Sequence, residues 1–267
     1  MNRAVQRPAQ PNAALIRQIG SLQAQIAKAL PRHMDAGRFA RIAITALRRD
    51  PKLGDDPTSF MQSVLQGAQL GLEPENGLGH AYLVRYGQHG CQLIPGYRGL
   101  VDLAHRSGKL KLFYAELVYE SDEFVYELGL DPKLVHKPSR AANRGTVTHV
   151  YAVAHLCDGG KQFVVLSRAA VEKIRQNSPS KNSPAWKNWW GQMAKAKAAK
   201  RLCKWLPLSS EMSRAVSLDD SHDAGVSQTF DVDIDIPAAP TGQVVDVRPE
   251  APQSVALAAQ MNGEPVR

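Results

Sequence analysis

The spacing of apolar residues changes twice along this chain, and proline or glycine marks each change. Leu15, Ile19, Leu22, Ile26 and Leu30 recur at helical spacing, and Pro31 ends the run. Phe39, Ile42, Ala43 and Ala46 repeat the pattern between Asp35 and Arg49, ahead of Pro51. Pro57 to Leu70 predicts a third helix. Asp56 is placed to cap it, and Pro57 takes the first helical position, where a missing N–H is harmless. From residue 81 the spacing shortens. Ala81–Tyr86 and Cys91–Ile94 predict a hairpin around Gly87-Gln88-His89-Gly90. Lys111–Tyr119 and Glu123–Leu128 predict two strands around Ser121-Asp122. Thr146–Cys157 and Lys161–Leu166 predict another hairpin around Asp158-Gly159-Gly160. A short helix, Gly99–Arg106, interrupts them and stops at Gly108. Helical spacing returns at Arg168–Gln176, capped by Ser167. After a polar loop it resumes at Trp186–Leu206, stopped by Pro207.

Charge is segregated along the same chain. The 267 residues carry a net charge of +8. From Leu218 to Arg267 there are two basic and nine acidic residues, whereas residues 1–217 hold 31 basic and 16 acidic ones. The acidic stretch is rich in Pro, Asp, Ala and Val, with Phe230 its only aromatic. It lacks the apolar surface to offset its ordering entropy, so disorder is expected. Residues 1–12, with Pro8 and Pro11, read the same way. Three parts follow: a disordered N-terminus at 1–12, an ordered core at 13–217 and a disordered acidic tail at 218–267. Cys91, Cys157 and Cys203 form no Cys-x-x-Cys pair, which argues against a disulfide framework or zinc ribbon and suits a reducing cytosol. No apolar run approaches the roughly 18 residues of a membrane span, and the first residues hold no apolar signal region. A cytoplasmic protein without membrane contact is the expectation.

Several chemistries lack their residues. Gly108-Lys109 and Gly160-Lys161 are followed by Leu and Gln, so no ATP phosphate loop is present. There is no His-Glu-x-x-His and no Gly-x-Ser-x-Gly. His149 and His155 share one strand face with no third ligand, which reads as ordinary strand histidines. Asp50-Pro51-Lys52 and Asp131-Pro132-Lys133 fit the loose Asp-x-Lys of metal-dependent nucleases, but both contain Pro and read as turns. No catalytic or metal-binding residue is assigned.

A basic helix is present instead. Lys197, Lys200, Arg201 and Lys204 are spaced i, i+3, i+4, i+7 and share one stripe at 100° per residue. Ala194, Ala198, Leu202 and Trp205 form another stripe, expected to face the core. No acid lies between Glu172 and Glu211 to pair with the lysines, and the preceding segment adds Lys181 and Lys187. Such a run can be a plain solvated face. With Trp186, Trp189 and Trp190 nearby, it also fits a track for single-stranded nucleic acid, although at least two of these tryptophans are expected to pack internally.

The chain resembles the RecT family of phage recombinases, the single-strand annealing proteins related to bacteriophage Red beta. The matching stretches include Ala68-Gln69-Leu70-Gly71-Leu72-Glu73-Pro74, Gly79-His80-Ala81-Tyr82-Leu83-Val84 and Pro95-Gly96-Tyr97-Arg98-Gly99-Leu100-Val101-Asp102-Leu103. Further on come Val118-Tyr119-Glu120-Ser121-Asp122-Glu123-Phe124, Val135-His136-Lys137-Pro138, Val150-Tyr151-Ala152-Val153-Ala154 and the segment from Met193 to Pro207. The family usually has Lys where this chain has Arg98, which keeps the charge and adds bidentate geometry.

The resemblance implies an α+β fold with a curved antiparallel sheet built from hairpins, backed by helices and bearing a basic groove. It implies ATP-independent annealing of complementary single strands in recombination and repair, by a binding protein that is not an enzyme. It requires no cofactor, although magnesium can assist through the DNA. In that picture Lys197, Lys200, Arg201 and Lys204, with Arg98, Lys137 and Lys187, hold phosphates, while Tyr82, Tyr86 or Tyr97 meets bases. The partners implied are single-stranded DNA, the annealed duplex, further copies in a ring or helical filament, a phage exonuclease and a host single-strand-binding protein. The N-terminal helices are the expected interface between copies. The acidic tail is expected to be accessory, competing with DNA for the groove or reaching a partner. Two alternatives stay open: a coating protein that binds without annealing, and a metal-dependent nuclease.

Overall fold

The computed structural model describes residues 12–21, 23–32, 34–74, 77–87, 90–178, 180–206, 209–226 and 228. The chain begins with α1 (Ala13–Ser21), α2 (Gln23–Ala29) and α3 (Ala36–Arg49), followed by a 3-10 turn at Pro51–Gly54 and α4 (Pro57–Leu70). Leu15, Ile19, Ile26, Phe39, Ala43 and Ala46 are buried, as their spacing requires. Asp35 caps α3 by accepting the Arg38 N–H at 2.6 Å. Asp56 caps α4 by accepting the Thr58 and Ser59 N–H groups at 3.1 and 3.3 Å. Asn12, placed in the expected disordered N-terminus, donates its side-chain amide to the Pro51 carbonyl at 2.8 Å. Residues 1–11 lie outside the described residues.

The first hairpin pairs β1 (Ala81–Arg85) with β2 (Cys91–Pro95), Ala81 opposite Pro95. α4 is tied to β2 through two serines. Ser59 accepts the Cys91 N–H at 2.8 Å, and Ser63 donates to the Cys91 carbonyl at 2.9 Å. α5 (Tyr97–Arg106) follows β2 at once and starts earlier than its apolar pattern indicates. Here two glycines are required by space. A Cβ on Gly96 would lie 2.1 Å from the Gly79 carbonyl oxygen, and one on Gly99 would lie 2.1 Å from that of His80. The Gly96 N–H closes this crossing by donating to the His80 carbonyl at 2.9 Å.

The remaining strands are β3 (Leu110–Tyr119), β4 (Glu123–Glu127), β5 (Lys133–Lys137), β6 (Val147–Leu156) and β7 (Lys161–Ser167). Among the described residues the strands pair antiparallel, as expected, but divide into three ladders: β1-β2, β3-β6-β7 and β4-β5. β3 therefore pairs with β6 rather than β4. β5, which has charged ends and only three apolar or aromatic-like positions between them, was not anticipated from its pattern. β6 is buried on both faces. Val150, Ala152 and Ala154 join the main core, while Tyr151 and Val153 join a second cluster with Val118, Phe124 and Phe163.

Asp122 explains why the chain turns away after β3. Its carboxylate is wholly enclosed. It accepts the backbone N–H of Tyr119 at 2.8 Å and of Ser139 at 2.9 Å, together with two guanidinium bonds from Arg144. His136 Nε2 lies 3.1 Å away, and the other ring nitrogen lies 3.1 Å from the Tyr151 hydroxyl. One side chain thus closes the base of the β4–β5 hairpin and fastens it to β6.

Among the described residues the last helices are α6 (Arg168–Asn177), α7 (Pro184–Asn188), α8 (Trp190–Cys203) and α9 (Ser210–Ala224). The helix expected from Trp186 to Leu206 is two helices, because Trp189 leaves helical geometry with φ −132° and ψ 40°. α9 corrects the expected boundary at residue 217. Met212, Ala215 and Leu218 are buried on one side of it, and Gly225, at φ 72°, closes its C-terminus. An acidic composition concealed this amphipathic stripe. The tail beyond residue 228 lies outside the described residues.

Gly99→Ala should lower stability to urea by about 2–3 kcal/mol through overpacking. Gly20→Ala, with nothing within 4 Å of the new Cβ, should raise it by about 0.5–1 kcal/mol. The Arg144 guanidinium, helped by the backbone donors, holds the Asp122 carboxyl well below the usual carboxylate range. A depressed carboxylate stabilises above its unfolded pKa and loses that contribution as pH falls. Urea unfolding of the parent should therefore weaken below about pH 5 more steeply than that of Asp122→Asn, which starts less stable.

Candidate nucleic-acid interface

α8 turns Ala194, Ala198, Ala199 and Leu202 into the core, so Lys197, Lys200 and Arg201, continued by Lys204 just past its end, lie on the side away from that core, with Lys197 and Lys200 only 14% and 16% exposed. Two adjoining clefts run along that stripe and share Lys197, Lys200 and Asp223. The first has a volume of about 560 Å³ and is lined by Gly79, Tyr82, Tyr97, Arg98 and Met193, among others. The second, of about 480 Å³, adds Arg201, Lys204, Trp205 and Asp219. Together they form a groove with a glycine-rich wall from β1 and α5 and a cationic wall from α8.

The Gly96–Gly99 crossing positions the first wall. It brings the start of α5 against Gly79, so that Tyr97 and Arg98 stand beside Tyr82. Arg98 Nε donates to the Tyr97 hydroxyl at 3.2 Å and Nη1 to the Leu78 carbonyl at 3.3 Å, which holds the guanidinium at the groove. Tyr82 is 44% exposed, leaving a ring face open.

The other expected site residues are placed differently. Tyr86 stands edge-on to His222, with ring centroids 5.3 Å apart. Lys137 lies on β5 and donates to Glu123 at 2.8 Å, and Lys187 is exposed on α7. None of these three lines either cleft. Among the tryptophans, Trp186 is buried. Trp190 is half-buried, with its N–H donating to Glu172 at 2.6 Å. Trp205 departs from expectation. It falls beyond the end of α8, swings off the apolar stripe and is 71% exposed at the groove.

The sequence reading missed the partners of the lysines. No acid lies within α8, but α9 runs beside it and supplies three. Lys197 meets Asp223 at 3.5 Å, Lys200 meets Asp219, and Lys204 meets Asp220. The pairs are unequal. Lys200 and Asp219 are enclosed, with side chains 16% and 2% exposed, whereas Lys204 and Asp220 are 41% and 47% exposed. Arg201 is exposed and makes no ion pair among the described residues. The signal was readable: Asp219, Asp220 and Asp223 follow the apolar positions 212, 215 and 218 at helical spacing.

Other reactive groups are engaged elsewhere. Burial pushes the Cys91 and Cys203 thiols up to about 12. Burial also lowers the pKa of His222, which favours a neutral imidazole at the groove. Asp50 accepts the Lys52 N–H at 3.1 Å, as a turn residue would. No group of three or more His, Cys, Asp or Glu able to hold a metal occurs among the described residues.

Comparison with known proteins accords with this geometry. The sequence description of the RecT family matches residues 37–233. The chain belongs to the RecT family. It is 49% identical to Protein RecT of Escherichia coli over 210 residues, covering 76% of this chain and 78% of that one. It is 29% identical over 195 residues to the protein YqaK of Bacillus subtilis, covering 73% of this chain and 65% of that one. Membership places the chain among recombination proteins that act by single-strand annealing. Several of the stretches carrying the family resemblance now have physical reasons: Gly96 and Gly99 permit the crossing, and Asp122 and His136 close the hairpin. No described helix is long and apolar enough to cross a membrane.

The unequal pairs separate two substitutions that sequence alone treats alike. Lys200→Ala strands an enclosed Asp219 carboxylate and should cost about 2–4 kcal/mol in urea unfolding. Arg201→Ala should stay within about 0.5 kcal/mol of the parent and weaken binding to DNA instead.

Proposed function

We propose that the groove between α8 and the β1–α5 wall holds a single DNA strand and that the protein anneals it to a complementary strand without nucleotide hydrolysis. The observation that carries this reading is the pair of adjoining clefts, in which Arg98, Lys197, Lys200, Arg201 and Lys204 stand beside Tyr82, Tyr97 and Trp205. A basic track with aromatic faces suits an extended strand, because phosphates and unpaired bases are met together. Family membership supports the same activity in general.

In this mechanism Arg98, Arg201 and the more exposed Lys204 engage phosphates, and the aromatic rings support bases without reading them. Sequence information comes from Watson–Crick pairing with the incoming strand. Annealing is downhill, so the protein need only order one strand and screen the repulsion of the second. Copies arranged head to tail would join their grooves into a ring or filament. A phage exonuclease that exposes the strand, a host single-strand-binding protein and a cytoplasmic setting complete the proposal. Magnesium acts only through the DNA.

Mixing the protein with two labelled complementary oligonucleotides and magnesium tests the reading. Faster pairing at full length supports it, binding without faster pairing indicates a coating protein, and shortened strands indicate a nuclease. Single-strand affinity should also fall linearly with salt on logarithmic axes, losing about 0.7 in slope for each phosphate contact.

A further inference from the structure

We propose that the acidic edge of α9, Asp220 and Asp223, makes the groove select single strands over duplex; this rests on the groove reading above. Lys197 and Lys200 on α8, and Lys204 just past its end, each meet an α9 aspartate. The Lys200–Asp219 pair is enclosed and belongs to the fold. The outer two are different. Asp220 and Asp223 are 47% and 49% exposed, and the Lys197–Asp223 separation is 3.5 Å. Exposed pairs are weak, and the Lys204–Asp220 pair is exposed on both partners, so Lys204 can exchange its carboxylate for a phosphate, whereas Lys197, 14% exposed, is shielded on its own side.

Asp223 lines both clefts, and Asp220, which lines neither, sits beside the second through its pair with Lys204. α9 is anchored by buried Met212, Ala215 and Leu218. Beyond its end, Gln228 donates its side-chain amide to the carbonyls of Leu93 at 2.7 Å and Leu218 at 3.3 Å. A nucleic acid entering the groove therefore meets cations with fixed negative charges alongside. This reduces phosphate attraction for any strand, and most for duplex, whose charges lie about every 1.7 Å along its axis. A single strand has a second source of binding that the carboxylates do not weaken. Its unpaired bases can stack on Trp205, Tyr82 or Tyr97, whereas duplex bases are already stacked on one another. Lowered electrostatics with stacking retained is selective for unpaired DNA.

The test compares the parent chain with Asp220→Asn/Asp223→Asn and with a charge-matched control away from the groove, Asp131→Asn/Glu211→Gln. Each is titrated with a labelled oligonucleotide and with its duplex, by fluorescence anisotropy over a range of salt, after circular dichroism has confirmed the fold. In Asp220→Asn/Asp223→Asn, duplex affinity should rise about tenfold and single-strand affinity by less, with a steeper salt slope for duplex. The control should keep the parent ratio. Equal gains for both DNA forms, no gain, or the same change in the control would overturn the proposal. A further variant, Arg201→Ala/Trp205→Ala, tests the groove reading separately. If it keeps parent single-strand affinity, the groove is not the binding site, and the selectivity proposal falls with it.

Discussion

Ala194, Ala198 and Ala199 give α8 a nearly flat face, and the side chains that β6 sends into the same core, Val150, Ala152 and Ala154, are small as well. Helix and strand can then approach closely, with Leu202 filling the end of the contact. Because β6 is covered on its other face by the Tyr151 cluster, the strand has no freedom to tilt. α8 is fixed in rotation, and everything on its far stripe is fixed outward. The cationic stripe is thus a consequence of core packing and not a local preference of the helix.

A stripe so placed needs compensation, and α9 supplies it. Packing of Met212, Ala215 and Leu218 settles where that helix lies, and Asp219, Asp220 and Asp223 then fall against the lysines. Apolar burial contributes the larger energy and the ion pairs set the register, since exposed pairs contribute little individually. If the groove holds DNA as proposed, the same pairs would limit how strongly it attracts phosphate. Stability and the proposed binding would then be coupled through one set of side chains, with the enclosed Lys200 on the structural side and the exposed Arg201 on the binding side.

Most helices and strands were legible because each carries a strong local signal: a cap at Asp56, stops at Pro31 and Gly108, and the Asp158-Gly159-Gly160 turn between β6 and β7. The boundary of the fold was not, because acidic composition outweighed three apolar positions on α9. β5 was missed because five residues with lysine at both ends carry little pattern, and its place depends on Asp122 reaching across to Ser139 and Arg144. For the groove, helical spacing gave the cations and the family resemblance gave Arg98, Tyr82 and Tyr97. Neither indicated which cations were already paired, since the partner carboxylates lie on another helix. Trp205 was misplaced for a simpler reason: α8 ends at Cys203, so extrapolating its period beyond that residue fails.

The two walls of the groove differ in how far they can adjust. The wall of β1 and α5 is set by backbone packed on backbone, where even a methyl group at Gly96 or Gly99 would collide with a carbonyl. The backbone that carries its tyrosines and Arg98 therefore has little room to shift. The α8 wall presents long lysine side chains, of which Lys204, in an exposed pair with Asp220, is the most readily exchanged. In the proposed mechanism, a strand would be held at a constant spacing from the rigid wall while phosphate contacts on the other wall form and break singly. Its bases would then remain presented for pairing without a deep binding minimum that traps either the single strand or the product. Under that proposal, tightening the flexible wall would improve binding and slow the release on which repeated pairing attempts depend.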